Sequence, residues 1–306
     1  MKNKKLLGNS LLLLTAMIWG TAFVFQRVGM ESIEPITFNA ARMALAAAAV
    51  GLLAFSPRRA QAALPEAQRR AYDKNTVVGG VCCGCFLAIA SVLQQMGLVT
   101  TTAGKAGFIT AMYMLLVPII GFVFFRRKNS WLVWLAVLLG VVGMYLLCIT
   151  EEFRLSHGDT LVCLCALFFS FHILCCDYFV RRGDALRIAA IQFAAAALLS
   201  AVVAAFTEEP SWAKLVSALI PILYCGLVSG GVGYTLQIVA QQYTEPTIAS
   251  LLMSMESVFA VIAGALLLHE RMSAREGLGC LVMLAAIVLV QLPLPEKAAG
   301  RLRERS

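Results

Sequence analysis

The chain has 306 residues, of which 60% are apolar and only 14% are charged, and its mean hydropathy is +0.82. Soluble domains are about 45–50% apolar and about 25% charged, so this composition excludes an ordinary soluble protein and is typical of a membrane protein. The net charge of +8 does not indicate nucleic-acid binding, because the basic residues lie between apolar runs rather than in one stripe.

Ten apolar runs follow one another along the chain, each of a length that suits one pass through a bilayer core of about 30 Å. They cover approximately 6–26, 36–55, 76–97, 104–125, 130–149, 158–179, 187–206, 213–239, 246–268 and 276–294. The connections between them are mostly short and polar. We therefore expect an all-α integral membrane protein with ten transmembrane helices.

The Lys and Arg residues are distributed unequally between the two sides of this ten-helix arrangement. With the N-terminus in the cytoplasm, eighteen of them fall in cytoplasmic segments and six in outer segments. Short cytoplasmic loops carry an excess of Lys and Arg, so both termini are predicted to be cytoplasmic. The pattern predicts a multi-pass protein of the cell membrane, such as a bacterial inner membrane.

Two segments begin alike, "LQQMGLVTTTAGKAGF" from Leu93 and "LQIVAQQYTEPTIASL" from Leu236, and the same offset aligns Met112 with Met255. Five helices per half is an odd number, so the second half would enter the membrane from the opposite side. Such inverted repeats are typical of secondary transporters, with the binding site near the midplane between the halves. The predicted units are a first repeat at 1–150, a second repeat at 151–295 and a basic cytoplasmic tail at 296–306.

Three segments carry a family resemblance: "WGTAFVFQR" at 19–27, "TTAGKAGFITAMYMLLVPIIG" at 101–121 and "YTEPTIASLLMSMESVFAVIAGALLLHER" at 243–271. They resemble the drug/metabolite transporter superfamily, EamA type. The resemblance implies two inverted five-helix repeats, a central cavity and transport, often outward, of small organic metabolites such as amino acids or drug-like compounds. Ser257 stands where many members carry Pro, so the residue that breaks this helix in those members is absent here.

Glu256 is the residue of the ninth apolar run whose insertion into a bilayer costs the most free energy, because its carboxylate lies close to the middle of the run. A carboxylate at that depth costs roughly 2.5–3.5 kcal/mol on insertion scales. One interpretation is a cavity carboxylate that binds a substrate ammonium group or a coupling proton; the other is a static hydrogen bond between helices. The repeat offset aligns Glu256 with Tyr113, so the two halves would present different polar groups to one ligand.

Two cations are further candidates for the substrate site. Arg42 would attract an anionic substrate group or pair with Glu256; alternatively, its side chain extends to the outer interface or packs against helix ends. Lys105 in "TTAGKAG" does not belong to a Walker A loop, which needs G-x-x-x-x-G-K-S/T. It is either a cation at the outer mouth of the cavity or an ordinary interfacial lysine.

The remaining candidates are amides and aromatic residues that would line the cavity or, alternatively, anchor helices at the interface and to each other. They are Gln94, Gln237, Trp19, Tyr113 and Tyr234. His172 is expected to be a bonded interior residue rather than a proton site. The ten cysteines lie within apolar runs at spacings unlike zinc ligands, so no metal site and no cofactor are expected.

The predicted function is a secondary transporter, in the outward direction, that works by alternating access. Its partners would be a small-molecule metabolite and membrane lipid. Because no nucleotide-binding motif is present, its energy would come from a proton or solute gradient, with protons as the candidate coupling ion. The alternatives are an integral membrane enzyme acting on a lipid-linked substrate, and a non-transporting membrane subunit. An enzyme would need clustered Asp, His or Ser residues at one membrane face, and no such motif stands out, so no catalytic residue is expected.

Overall fold

The computed structural model describes residues 2–55, 66–101, 103–127, 129–148, 157–267 and 273–291. These ranges contain helices and turns and no strand. The elements are α1 (Lys2–Gly29), α2 (Pro35–Ala54), α3 (Glu66–Leu98), α4 (Ala103–Thr110), α5 (Tyr113–Phe125), α6 (Trp131–Cys148), α7 (His157–Val180), α8 (Ala185–Thr207), α9 (Trp212–Ser217), α10 (Leu219–Leu223), a π-helical segment (Tyr224–Tyr234), α11 (Thr235–Gln241), α12 (Pro246–Met253), α13 (Glu256–Leu267) and α14 (Ala274–Gln291).

Within the described ranges, eight helical stretches are long and apolar enough to cross a membrane, so the predicted all-α membrane architecture is confirmed. They are Lys4–Gly29, Pro35–Ala54, Gln68–Leu98, Ala106–Phe125, His157–Val180, Ala185–Thr207, Leu219–Gln241 and Pro246–Leu267. Two shorter apolar helices, Trp131–Gly143 and Gly277–Ala286, lie where the fifth and tenth runs were expected. The count of ten spans and the side of the termini stay predictions, and the tail at 296–306 lies outside the described residues.

The helices pack as an interleaved bundle. We call the end at which α1 begins and α2 ends the lower end, and the opposite end the upper end. Helix α2 packs along α8, α3 packs against both α7 and α8, α1 packs against α13, and α6 packs against α14. Elements from the two parts of the sequence are therefore neighbours throughout the bundle.

Two spans that appear in the sequence as single apolar runs are broken near their middles. The run 104–125 contains a turn at Ala111 and Met112, between α4 and α5, and the run 246–268 contains a turn at Ser254 and Met255. The second break forms without a proline. Here serine hydroxyls form hydrogen bonds with backbone carbonyl oxygens. Ser254 donates to the Leu251 oxygen at 2.7 Å, and Ser257 donates to the Ser254 oxygen at 2.8 Å. Such back-bonding weakens and bends a helix.

The eighth predicted run, 213–239, is divided into α9, α10, the π-helical segment and α11. The π-helical segment is rich in glycine, and two of these glycines allow close packing. A Cβ atom on Gly226 would lie 3.0 Å from the backbone oxygen of Arg42, and one on Gly233 would lie 2.7 Å from Nε1 of Trp19. The segment thus approaches α1 and α2 at residues that line the cavity described next, and π-helical turns are frequent at functional sites.

Candidate functional site

The bundle contains a central cavity that is lined by α1, α2, α3, α7, the π-helical segment, α11 and the two broken spans. Seven of the eight predicted site residues line it: Glu256, Tyr113, Trp19, Arg42, Gln94, Gln237 and Tyr234. The side chain of the eighth, Lys105, lies outside the described part of the chain. The structure therefore brings together residues that are spread over nearly the whole sequence.

The empty space of this cavity is about 430 Å³ when open space at its mouth is included. Its enclosed part holds only about one water molecule. The side chains therefore close around the centre of the site in this conformation. A metabolite needs them to move apart before it can bind.

Glu256 and Tyr113 owe their positions to the helix breaks. Tyr113 is the first residue of α5, and Glu256 is the first residue of α13. Both are buried and their side chains interact with each other, but neither the Tyr113 hydroxyl nor Oε1 of Glu256 makes a hydrogen bond of good geometry among the described residues. The first turn of α13 also favours a negative charge, because helix N-termini carry a partial positive charge.

Arg42 is held inside the bundle rather than extended to an interface, since only 3% of it is exposed. Its Nε donates to Oδ1 of Asn39 at 2.9 Å, while the Asn39 amide donates to the hydroxyls of Ser91 and Ser200 at 3.0 and 2.9 Å. Nη2 of Arg42 has no hydrogen-bond partner, and within the described ranges no carboxylate forms an ion pair with this guanidinium group. Arg42 thus presents to the cavity a fixed guanidinium group that has no ion-pair partner among the described residues.

Aromatic rings form one wall of the cavity. The ring centroids of Trp19 and Tyr234 are 4.5 Å apart, and the Tyr234 and His172 rings meet edge to face at 6.0 Å. The indole nitrogen of Trp19 donates to the backbone oxygen of Ser229 at 3.2 Å, which fixes the ring. Such a wall accepts an apolar group or the face of an organic cation.

His172 is a cavity residue that the sequence reasoning did not assign to the site. It is bonded as expected, because its Nε2 lies 3.0 Å from Oε1 of Gln192, but its Nδ1 has no partner and the residue lines the cavity. The alignment of "AMIWGTAF" from Ala16 with "ALFFSFHI" from Ala166 places His172 at the position of Ala22, which also lines the cavity. That alignment was the signal that could have identified it. No group of three His, Cys, Asp or Glu side chains suited to a metal ion is found in the described ranges.

The upper end of the bundle is closed by polar contacts between helices. Lys214 donates to Glu34, and this hydrogen bond holds the pKa of the Glu34 carboxyl below its usual 4.5. Arg27 at the end of α1 donates to the backbone oxygen of Thr101 at 2.7 Å. Glu208 at the end of α8 accepts hydrogen bonds from the backbone N–H groups of Ile36 and Thr37 at 2.8 and 2.6 Å. These contacts tie helices of the bundle together at its upper end.

The sequence pattern of the EamA-like transporter family matches residues 6–149 and again residues 156–292. The chain belongs to the EamA-like transporter family. EamA-like transporters are part of the drug/metabolite transporter superfamily, which confirms the resemblance of the sequence segments. The family and the eight apolar spans together establish a multi-pass membrane protein, and a bacterial plasma membrane agrees with both.

Similar proteins support the same assignment. A protein of Archaeoglobus fulgidus (strain ATCC 49558 / DSM 4304 / JCM 9628 / NBRC 100126 / VC-16), named an uncharacterized transporter, is 30% identical over 298 residues. The alignment covers 94% of this chain and 87% of that relative. One solved crystal structure superposes with a TM-score of 0.74 at 14% identity, covering 92% of this EamA-like chain and 96% of the other. At that identity the similarity shows the fold alone.

Proposed function

We propose that this EamA-like chain is a secondary transporter that exports a small zwitterionic metabolite, such as an amino acid, by alternating access. One observation carries the proposal. Arg42 and Glu256 are both buried at the same cavity, and each has a polar atom that makes no hydrogen bond of good geometry within the described part of the chain. Unsatisfied buried polar groups are costly, and a ligand of opposite charge at each end supplies the missing partners.

The chemistry of the cavity matches the two ends of such a ligand. A guanidinium group binds a carboxylate through two parallel hydrogen bonds, so Arg42 is assigned to the substrate carboxylate. Glu256 is assigned to the substrate ammonium group. The rings of Trp19 and Tyr234 would hold the apolar part, and Gln94, Gln237 and Tyr113 would orient the polar part through hydrogen bonds. We assign Lys105 the role of a cation at the outer mouth of the cavity.

The architecture that we propose for this mechanism is an inverted repeat of ten helices with both termini in the cytoplasm. The offset that aligns Leu93 with Leu236 also aligns Gln94 with Gln237 and Tyr113 with Glu256, and all four of these polar residues line the cavity. The same offset aligns the two helix breaks. Discontinuous helices that meet at a central site are a feature of transporters with inverted repeats.

Movement of the two repeats against each other would provide access to each side in turn. The enclosed part of the cavity is too small for a metabolite, so a conformational change must accompany binding. Glu256 is also our candidate for the coupling proton, since protonation would remove the charge that holds the substrate ammonium group. The family and the Archaeoglobus fulgidus relative both point to a transporter rather than to a lipid-modifying enzyme.

Flux measurements in proteoliposomes test the proposal. The wild-type protein is screened with zwitterionic amino acids, organic cations and organic anions of similar size, and then compared with Glu256→Gln and Arg42→Gln. Glu209→Gln serves as the matched control, because Glu209 is an exposed carboxylate outside the cavity. We expect flux of zwitterions that both cavity variants reduce at least about tenfold and the control retains. Flux of cations or anions in preference to zwitterions would overturn the substrate assignment.

A further inference from the structure

A second polar pocket lies at the lower end of the bundle, away from the central cavity. Its empty space is about 970 Å³, open space included, and it lies where α5 and α7 end and α12 begins. Three of the residues that line it are arginines: Arg127, Arg181 and Arg182. The spans Ala106–Phe125 and His157–Val180 end here and the span Pro246–Leu267 starts here, so the pocket lies at the level of lipid headgroups.

Two of the arginines are fixed by one buried carboxylate. Arg127 donates to Oδ2 of Asp177 at 2.8 Å, and Arg181 donates to Oδ1 through Nε at 3.0 Å and Nη2 at 2.8 Å. The Arg127 and Arg181 side chains remain 38% and 42% exposed, whereas Asp177 is 4% exposed. A guanidinium group has five N–H donors, so each arginine keeps donors that Asp177 does not occupy. Arg126 adopts a left-handed conformation (φ 51°) at the end of α5, which turns the chain so that Arg127 reaches Asp177.

Further donors surround this pair. Arg182 lies over the Tyr178 ring at 3.9 Å and is not engaged by Asp177. Nδ2 of Asn129 is buried without a hydrogen-bond partner, and Asn129 lines the pocket. The first turn of α12, which also lines it, has no side-chain cap at Glu245. With three arginines against Asp177 and Glu245, the pocket carries a net positive charge, to which the N-terminus of α12 adds.

We propose that this pocket binds a phosphate group, carried by the headgroup of an anionic phospholipid or by a soluble phosphate compound. Arginines with spare donors, a free amide N–H group and an uncapped helix N-terminus are the groups that recognise phosphate oxygens. Basic pockets between transmembrane helices bind anionic headgroups in this way. The proposal does not depend on the transport proposal. A bound phosphate would connect α5 from the first matched segment with α7 and α12 from the second.

The test uses purified full-length protein in detergent, reloaded with phosphatidylglycerol or with phosphatidylcholine, and native mass spectrometry to measure bound lipid. We expect phosphatidylglycerol to be retained in preference to phosphatidylcholine. Arg182→Gln and Asn129→Ala leave both contacts to Asp177 intact, and we expect Arg182→Gln to weaken phosphatidylglycerol binding about fivefold. Arg70→Gln is the matched control, because Arg70 is an exposed arginine of α3 that pairs only with the exposed Glu66 among the described residues.

Inorganic phosphate identifies the source of the phosphate group. If millimolar inorganic phosphate displaces phosphatidylglycerol from the wild-type protein, phosphate recognition is supported and the pocket is assigned to soluble phosphate compounds. If it does not, and the variants still weaken lipid binding, the headgroup assignment is supported. Equal retention of the two lipids together with no displacement by inorganic phosphate, or wild-type binding of phosphatidylglycerol by both folded variants, would overturn the proposal.

Discussion

A Cβ atom on Gly20 would lie 2.6 Å from the backbone oxygen of Glu256. It would also lie 2.5 Å from Cβ of Phe259 and 2.7 Å from the backbone nitrogen of Ala260. Helices α1 and α13 therefore cross with their backbones in contact, as small residues permit in membrane proteins. Because Gly20 has no side chain, α13 can lie this close to α1, and this close approach determines how far Glu256 extends into the cavity.

The first prediction is that Gly20→Ala displaces α13 and impairs both folding and transport. Two of the atoms that the new methyl group would meet belong to the backbone, so the helices must separate. Such overpacking costs about 1–3 kcal/mol. Thermal unfolding in detergent should show a lowered midpoint. Gly51→Ala is the control, because a Cβ on Gly51 meets nothing within 4 Å. A Gly20→Ala protein as stable and active as Gly51→Ala would show that the crossing adapts without loss.

The second prediction concerns the charge on Glu256. In Glu256→Gln the side chain keeps its size but cannot become negative, so it neither attracts an ammonium group nor releases a proton. We expect export to fall at least about tenfold, and the residual rate to lose its dependence on pH. Flux into proteoliposomes at several pH values measures both effects. Unchanged rate and unchanged pH dependence would remove Glu256 from the mechanism and leave it a structural role.

The third prediction concerns Arg42, whose guanidinium group is oriented by Asn39. Arg42→Lys keeps the positive charge but loses the planar pair of donors, so we expect a higher KM for the zwitterion with a smaller change in kcat. A hydrogen bond to a charged group is worth about 1.5–3 kcal/mol, which corresponds to a KM increase of roughly 10-fold or more. An increase of the same size for a substrate analogue without a carboxylate would contradict the assignment.

The fourth prediction concerns the ion pair between Glu34 and Lys214 at the upper end. The pKa of Glu34 is lowered by the hydrogen bond from Lys214, so the pair stabilises the fold above the ordinary carboxyl pKa and loses this effect as the pH falls through the lowered value. Their side chains are 30% and 38% exposed, so solvent limits the contribution to about 1 kcal/mol or less. Glu34→Gln should therefore unfold at a slightly lower temperature than wild type near pH 7, and the two midpoints should converge once the pH falls below the lowered pKa of Glu34. A constant difference across this range would exclude the ion pair as its cause.

The sequence predicts the ends of several spans closely because hydropathy reports where the chain leaves the bilayer. The run 36–55 corresponds to Pro35–Ala54, and the run 187–206 corresponds to Ala185–Thr207. Interruptions of a helix within the bilayer do not change hydropathy. Hydropathy does not depend on which carbonyl each backbone N–H group bonds, so the turn at Ser254 and Met255 and the π-helical segment were not predicted.

The residues of the candidate site that the sequence identified best are those that are rarest in apolar helices. Glu256 and Arg42 stand out because charges are expensive there, and both lie at the central cavity. His172 and Ser229 also line it, but a single polar residue of their kind occurs often in membrane helices. Only the three-dimensional arrangement distinguishes those that face the cavity from those that bond a neighbouring helix.

The contact of Glu208 with α2 bears on how the chain is built during synthesis. The first backbone N–H groups of α2 and the Thr37 hydroxyl find their carboxylate partner more than 170 residues later in the chain. When the ribosome has completed only the first matched segment, α2 and α3 still lack α8, along which both pack. A chain that ends near residue 148 would therefore contain inserted helices without their partners. The first half therefore cannot complete its packing until α8 has been synthesised.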